Sequence, residues 1–184
     1  STNTMFKKLL LMVLFLAPLS LCAQKFAHFD YASIMQSMPE AKTVQTELEA
    51  LYKQYQTELE GMQKELQTKA EKYQKEDTDA TPINIKERHN QELQEMYQRL
   101  QQAQQDNAEN FQKAQQTKMQ PVTQKVMNAV NAVAQEGGFV YIVDKNGAQT
   151  AGIVINETLS TDVTSQVMKK LGITAAAPAP AAKK

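Results

Sequence analysis

The segment VQTELEALYKQYQTELEGMQKELQTKAEKY, residues 44–73, places an apolar residue at every third or fourth position. The successive spacings are 4, 3, 4, 4, 3, 4, 4 and 3 residues, which predicts a helix with one apolar face. The repeat is 11 residues long rather than 7, so two such helices are expected to pair almost straight or with a weak right-handed twist. The stripe consists of Val44, Leu48, Leu51, Tyr55, Leu59, Met62, Leu66, Ala70 and Tyr73.

A second stripe with the same spacing follows after a break. Residues 75–82, KEDTDATP, contain turn formers and a proline, which predicts a hairpin tip near residues 75–84. Because both halves share one period, we expect a long antiparallel helical hairpin arm over residues 39–136, roughly 55 Å long at the usual helical rise. The second stripe consists of Leu93, Tyr97, Leu100, Gln104, Ala108, Phe111, Gln115, Met119, Val122, Val126, Val130 and Val133.

Two prolines are expected to shape the hairpin. Ser37 and Glu40 flank Pro39 in the pattern of a capping box, which predicts that the first helix begins there. Pro121 lies inside the second helix, where it removes a backbone hydrogen bond and crowds the carbonyl of Thr117. A kink is therefore predicted at Pro121, where the arm is expected to meet the rest of the chain; a tolerated bend without function is the alternative.

Some apolar residues of the hairpin are candidates for contacting another protein. Most of the stripe is interpreted as ordinary coiled-coil core. Tyr52, Met96 and Ala103 are predicted to flank it and to widen the apolar band beyond what one partner helix covers. Methionine repacks easily and tyrosine is amphipathic, so both suit adaptable binding surfaces. The predicted binding residues are Tyr52, Met62, Tyr73, Met96, Tyr97 and Ala103.

The segments on either side of the hairpin, residues 24–38 and 137–172, are predicted to form a small β-rich body. Residues 25–29 and the apolar run 139–143 read as strands, the latter covered on both faces, and residues 144–147 as a turn leading to a returning strand at 151–155. A short helix is expected at 164–171. A body this small needs oligomerisation to bury its apolar residues, namely Phe26, Phe29, Phe139, Val140, Ile142, Ile153 and Ile155.

The N-terminus predicts export. Lys7 and Lys8 precede an apolar run from Leu9 to Leu21, which is typical of a secretory signal peptide over residues 1–23, with residues 1–4 as possible extra residues before Met5. Cleavage after Ala23 would leave no cysteine; the alternative is a lipoprotein modified at Cys22. Residues 173–184, rich in alanine and proline, are expected to be a disordered tail.

Composition excludes several classes of function. The chain has 20 basic and 20 acidic residues, and removal of Lys7 and Lys8 leaves 18 against 20, so no nucleic-acid partner is expected. His28 and His89 are isolated, and no metalloprotease, nucleophile-elbow or phosphate-loop motif occurs. Asp144–Gly147 lacks the glutamate of a calcium loop. We therefore expect no enzyme activity, no cofactor and no metal.

The order of the predicted elements resembles the Skp (OmpH-like) family of periplasmic chaperones over nearly the whole exported chain. Residues 25–30 (KFAHFD) look like the first strand of the family, residues 139–144 (FVYIVD) like its "VVD" strand, and residues 162–171 like its closing helix. The resemblance implies an α+β fold in which three subunits form a small β-barrel body. It also implies arms that hold unfolded outer-membrane β-barrel proteins in the periplasm without ATP. Any membrane association would then be indirect. A structural or adaptor coiled coil that binds one folded partner is the alternative.

Overall fold

The computed structural model describes residues 24–174, so the predicted signal peptide with Cys22 and nearly all of the predicted tail lie outside it. The described chain is mostly helical with one small sheet, which confirms the α+β prediction. None of its helices is long and apolar enough to span a membrane. The elements are β1 (Lys25–Phe29), α1 (Tyr31–Ser37), α2 (Pro39–Glu76), α3 (Ile83–Gly137), β2 (Phe139–Asp144), α4 (Lys145–Thr150), β3 (Thr161–Asp162) and α5 (Thr164–Lys170).

The described residues divide into two compact units. The first unit contains residues 24–34 and 128–174, and the second contains Met35–Met127. Strands β1 and β2 come from opposite ends of the described chain and pair in parallel, with Ala27 opposite Ile142. Strand β3 also pairs in parallel with β1, so the sheet order is β2-β1-β3 and β1 is its centre. Two of the three strands are therefore edges.

An aspartate at the end of each of the three strands, or directly after it, accepts hydrogen bonds from the start of the following helix. The backbone N–H and hydroxyl of Ser33 donate to Asp30 after β1, and the backbone N–H of Thr164 donates to Asp162 at the end of β3. Asp144, the last residue of β2, accepts from the backbone N–H of Gly147 at 2.7 Å and from that of Tyr31 at 3.0 Å. The N–H and hydroxyl of Ser33 lower the pKa of Asp30. These carboxylates therefore have structural partners at the end of the sheet where its three parallel strands finish.

Replacing Asp144 with alanine is expected to destabilise the first unit by about 1–2 kcal/mol, because the change removes the cap of α4 and one acceptor of α1. Urea unfolding followed by circular dichroism measures the loss. Gln149→Ala is the matched control, since Gln149 is an exposed residue of the same helix. Equal unfolding midpoints for the two variants would contradict this role of Asp144.

Two predictions for the segment after β2 are wrong. Residues 145–150 form helix α4 instead of continuing a turn, because Asp144 caps it. The returning strand predicted at 151–155 is absent: Ile153 and Ile155 lie in an irregular segment between α4 and β3. The backbone N–H of Ile153 donates to the carbonyl of Ala148 at 2.8 Å, which ends α4 and leaves this segment without a strand partner. The third strand is two residues long and lies at Thr161–Asp162.

Strand β2 is also less covered than its apolar sequence predicted. Val140 is 48% exposed and Tyr141 is 65% exposed. The buried residues of the first unit lie instead on β1, on the helices and at Val163 directly before α5, and they include Ala27, Phe29, Ile34, Val130, Val133, Val163, Val167 and Met168. Glycine is required where α3 meets β2, because a Cβ on Gly137 would lie 2.3 Å from the ring of Phe139 and Gly138 has φ +67.

Helices α2 and α3 run antiparallel in the second unit, joined by residues 77–82. Three side-chain links connect the helices, and their α2 residues are separated by 7 and then 11 positions. Their α3 residues are separated by the same 7 and 11 positions in the opposite direction along the sequence. The register is therefore constant along the pair. The links join Glu40 to Lys125, Glu47 to Lys118 and Glu58 to Asn107.

The exposure pattern of α2 agrees with the predicted stripe, whereas that of α3 differs by one residue over much of its length. All nine stripe positions of α2 are buried or half-buried. In α3, Met96 and Ala103 face the partner helix, while Tyr97 is 53% exposed. The positions predicted inside but exposed in the structure are Tyr97, Gln104, Ala108 and Gln115.

The shift has a physical reason. The series 96, 100, 103, 107, 111, 114, 118, 122 has the same spacing as the predicted series. It places Met96, Ala103, Asn107, Ala114 and Lys118 inside, where the predicted series had Tyr97, Gln104, Ala108, Gln115 and Met119. Its polar members, Asn107 and Lys118, are bonded to glutamates of α2. Partners on the other helix therefore decide between two equally regular stripes.

The ends of the hairpin helices differ from the predicted caps. Ser37 is the last residue of α1, Met38 precedes α2 without a side-chain cap, and the Glu40 carboxylate bonds to Lys125, so the predicted capping box is wrong. Pro39 does begin α2. Helix α3 runs unbroken through Pro121, and the kink there stays a prediction.

Candidate functional site

An aromatic pair lies on one flank of the helical hairpin. The rings of Tyr52 from α2 and Phe111 from α3 meet edge to face, with centroids 5.9 Å apart and an angle of 68°. Tyr52 remains 58% exposed. This geometry places an amphipathic ring and an apolar ring across the two helices at a surface that water still reaches.

Two grooves border this pair, and each is lined by both Tyr52 and Phe111. The wide groove has a volume of about 660 Å³ and the narrow groove about 370 Å³. Leu48 and Met119 give the wide groove its apolar floor, and Tyr55 and Leu59 do so in the narrow groove. The two grooves are consecutive along the flank, since the wide one uses α2 residues up to Tyr52 and the narrow one begins there.

The walls of both grooves are rich in carboxamide side chains. The narrow groove carries no charged residue, and the wide groove carries Lys42 and Glu49, whose charges are opposite. Carboxamides both donate and accept hydrogen bonds, so these walls can form hydrogen bonds with an uncharged polar ligand. The carboxamides are Gln36, Gln45 and Gln115 in the wide groove and Gln56, Gln104 and Asn107 in the narrow one.

The one-residue shift in α3 produces this surface. Gln104, Ala108 and Gln115 were predicted inside the hairpin, and the structure turns them outward into the groove walls. Ala108 leaves space beside Phe111 because its side chain is small. Sequence reasoning missed the grooves for this reason, and the signal that could have found them was the equal regularity of the alternative stripe.

A polar cluster joins the helices near the tip. The imidazole of His89 stacks on the ring of Tyr73 with centroids 3.8 Å apart, and its Nδ1 lies 2.9 Å from Oδ1 of Asp77. Both the Tyr73 hydroxyl and the Lys69 ammonium donate to the Glu92 carboxylate. These donors hold the pKa of Glu92 below its ordinary value, and the bond to Glu92 raises the pKa of both Lys69 and Tyr73. The cluster therefore links α2 to α3 near the tip of the hairpin.

The cluster predicts acid sensitivity near the tip. A carboxylate whose pKa is lowered on folding stabilises the folded state when the pH is above its ordinary pKa of 4.5. This stabilisation is lost as the pH falls through the lowered pKa. Glu92→Gln is therefore expected to flatten the dependence of stability on pH below about pH 4.5. Urea midpoints measured between pH 3 and pH 7 test this, with Glu95→Gln, one turn along α3, as the control. Identical pH profiles for the wild type and Glu92→Gln would contradict it.

The first unit carries an open apolar face. Phe26 stacks on Tyr141 across β1 and β2, with centroids 6.1 Å apart, beside a cavity of about 340 Å³. The irregular segment after α4 forms the other wall, where Val154 is 93% and Leu159 81% exposed. Contiguous exposure of large apolar side chains usually marks a contact with another molecule. The open face consists of Phe26, Tyr141, Val143, Ile153, Val154, Ile155 and Leu159.

The predicted binding residues of the hairpin separate into two groups. Tyr52 and Tyr97 are exposed, and Met62 is half-buried. Met96 and Tyr73 are each 8% exposed, and Ala103 is half-buried in the seam, so the prediction that Met96 and Ala103 flank the stripe is wrong. The structure brings none of the other five beside Tyr52, whose neighbour across the helices is Phe111.

The predicted oligomerisation residues of the body also separate. Phe26, Ile153 and Ile155 line the open face, whereas Phe29 is 3% exposed and belongs to the buried core. Phe139, Val140 and Ile142 lie on the edge strand β2. His28 on β1 is buried, with Nδ1 2.8 Å from the hydroxyl of Ser160. Within residues 24–174 no cluster of three potential metal ligands occurs.

Comparison with known proteins gives one family. The model of the family described as "Outer membrane protein (OmpH-like)" matches residues 25–171. A crystal structure of a candidate outer membrane chaperone (OmpH-like) from Caulobacter crescentus CB15 superposes with a TM-score of 0.66 at 19% identity, over 82% of this chain and 85% of that one. At this identity the likeness concerns the fold. No curated protein matches the sequence significantly.

Proposed function

The chain belongs to the OmpH-like family of outer membrane proteins, and from that membership we propose that it is an ATP-independent holdase chaperone for unfolded outer-membrane proteins. The observation that carries the proposal is the flank of the hairpin, where two shallow grooves combine an apolar floor with uncharged carboxamide walls. Such a surface fits a chain that still exposes both its apolar side chains and its backbone. The chaperone description of the Caulobacter crescentus structure supports this proposal.

The proposed mechanism uses several weak contacts instead of one deep pocket. Some of the links between the two helices are polar and exposed, such as that of Glu58 with Asn107, so the contact between the helices is not a continuous apolar one. A client that touches more than one arm gains affinity through effective concentration, with no need for a nucleotide-driven step. Release then follows when the client reaches a partner that buries it better.

Several arms require several subunits, and the open face of the first unit supports assembly. A chain that exposes Val154, Leu159 and Tyr141 together loses solvent-exposed apolar area when a second copy covers them. We propose a homotrimer joined through this face. The short sheet with its exposed edge strand β2 offers backbone groups for the same contact.

The proposed location is the periplasm, after removal of the signal peptide predicted over residues 1–23. Neither a cofactor nor a catalytic step belongs to the proposal. A second candidate is an adaptor or spacer of the cell envelope that binds one folded protein. The constant register of the helical pair favours it, since regular coiled coils also serve as spacers.

The holdase proposal is tested by diluting a urea-unfolded outer-membrane β-barrel protein into buffer with and without residues 24–184. We expect light scattering from aggregates to be suppressed when three chains are present per client. A coiled-coil protein of similar length without grooves serves as the control. Unchanged scattering at this ratio would overturn the holdase proposal and leave the adaptor.

A further inference from the structure

We propose that the wide and narrow grooves together bind one extended, unpaired polypeptide segment that carries uncharged apolar side chains four residues apart. The inference rests on the proposed holdase function and names the feature of the client that this surface selects. Each groove would hold one side chain of the client, and Tyr52 and Phe111 form the wall that the two grooves share. Three observations carry it: the separation of the grooves, their lack of net charge and their amide walls.

The separation of the grooves matches an extended chain. The α2 residues that line the two grooves are centred about nine residues apart, and the α3 residues about seven to eight apart. At about 1.5 Å per residue this gives a separation of roughly 11–14 Å. In an extended strand, side chains at i and i+4 point to the same side and lie about 13 Å apart, whereas i and i+2 are only about 7 Å apart. The separation of the grooves therefore matches the side chains at i and i+4 of an extended strand, with the side chain at i+2 between them.

The charge of the lining restricts what the two sites accept. The narrow groove has no charged side chain, so a charged client residue would lose hydration there without gaining a partner. Lys42 and Glu49 in the wide groove have opposite signs and attract neither kind of charge on balance. Uncharged side chains such as leucine, phenylalanine or tyrosine are therefore the complementary occupants.

The amide walls favour an unpaired backbone over a helix. Gln45 and Gln56 are eleven residues apart on α2, and Gln104 and Gln115 are eleven residues apart on α3. An extended segment outside a sheet has free backbone N–H and C=O groups that these amides can bond. A helical ligand has already paired its backbone groups, so the same walls would offer it little.

The alternation of apolar side chains is also a feature of the proposed clients. Strands of a membrane β-barrel carry apolar residues at every second position on the lipid-facing side. Before such a strand pairs, it presents both the side-chain spacing and the free backbone that the grooves require. The grooves would therefore bind the unfolded client and lose contact once its strands pair with one another.

Peptide binding tests the spacing directly. Two 14-residue peptides of identical composition carry tryptophan and leucine either at i and i+4 or at i and i+3, with threonine and serine between them. The protein itself contains no tryptophan, so fluorescence reports the peptide alone. We expect the i, i+4 peptide to bind about 5- to 10-fold more tightly. Equal affinities, or tighter binding of a helical peptide with an i, i+7 spacing, would overturn the proposal.

A surface substitution locates the binding. Ala108→Arg places a large cation in the narrow groove at an exposed position, and Ala50→Arg places the same residue on an exposed part of α2 outside both grooves. We expect Ala108→Arg to weaken binding of the i, i+4 peptide about 10-fold and Ala50→Arg to leave it unchanged, with equal helicity by circular dichroism. Tyr52→Ala should weaken binding as Ala108→Arg does, with Lys53→Ala, an exposed neighbour outside both grooves, as its control.

The same variants separate this inference from the proposed function. If the wild type fails to suppress aggregation of an unfolded β-barrel protein, the holdase proposal falls and the inference falls with it. If the wild type suppresses aggregation but Ala108→Arg and Ala50→Arg have equal peptide affinities, only the groove inference is wrong. Unequal affinities of the two variants with a preserved spacing preference support it.

Discussion

Replacing Val154 with aspartate is expected to convert the assembled protein into a monomer. Val154 is 93% exposed in the single chain, so the change removes no contact within the fold. In an assembly joined through the open face, the new carboxylate would have to lose its hydration beside Tyr141, Ile153 and Leu159. Multi-angle light scattering of residues 24–184 should give three chains for the wild type and one for Val154→Asp.

Loss of assembly should be accompanied by a large loss of client affinity. Engagement by several arms raises affinity by about 10²- to 10⁴-fold over a single arm, and a monomer has one arm. We therefore expect the dissociation constant for an unfolded β-barrel protein to rise at least 100-fold in Val154→Asp. Gln149→Asp, at an exposed position of α4, is the control. A trimeric Val154→Asp, or a wild-type monomer, would contradict assembly through the open face.

The second large effect concerns the register of the helical hairpin. Met96→Glu is expected to destabilise the second unit by about 3 kcal/mol or more, because Met96 is 8% exposed and the change puts a carboxylate where an apolar side chain is buried. Tyr97→Glu, one residue further along α3 and 53% exposed, is expected to change stability by less than about 0.5 kcal/mol. Urea unfolding followed by the helical circular-dichroism signal compares the two variants.

The two variants are expected to rank in opposite order of stability, depending on which of the two stripes packs against α2. If the stripe predicted from sequence spacing were correct, Tyr97→Glu would be the damaging change and Met96→Glu the mild one. Hydrogen exchange of the facing residues Leu66 and Ala70 in α2 gives an independent measure. Equal loss of protection in both variants would show that neither stripe describes the packing.

Periodicity was sufficient for α2 and insufficient for α3. In α2 the apolar residues occupy one series with few competitors, so Val44 to Tyr73 were predicted at the positions that the structure buries. In α3 two series of the same period compete. The choice depends on Glu47 and Glu58 of α2, which pair with Lys118 and Asn107. A pattern within one helix contains no information about its partner's charges.

The errors in the first unit have a local cause. Residues 144–147 contain the residues of a turn, but Asp144 uses its carboxylate to begin a helix and to bond the N–H of Tyr31, more than a hundred residues earlier. The β-forming residues Ile153, Val154 and Ile155 then have no strand beside them within the described chain. The strand predicted over residues 139–143 does form, as Phe139–Asp144, but it is more exposed in the single chain than its apolar sequence predicted.

A holdase is expected to prefer unfolded outer-membrane β-barrel proteins to folded ones. The most direct test is fluorescence anisotropy of one labelled β-barrel protein, titrated with residues 24–184 both in its unfolded state and after folding into detergent. We expect the unfolded state to bind at least 100-fold more tightly, a difference of about 2.7 kcal/mol. Equal affinity for the two states, or tighter binding of the folded one, would contradict the holdase and favour an adaptor.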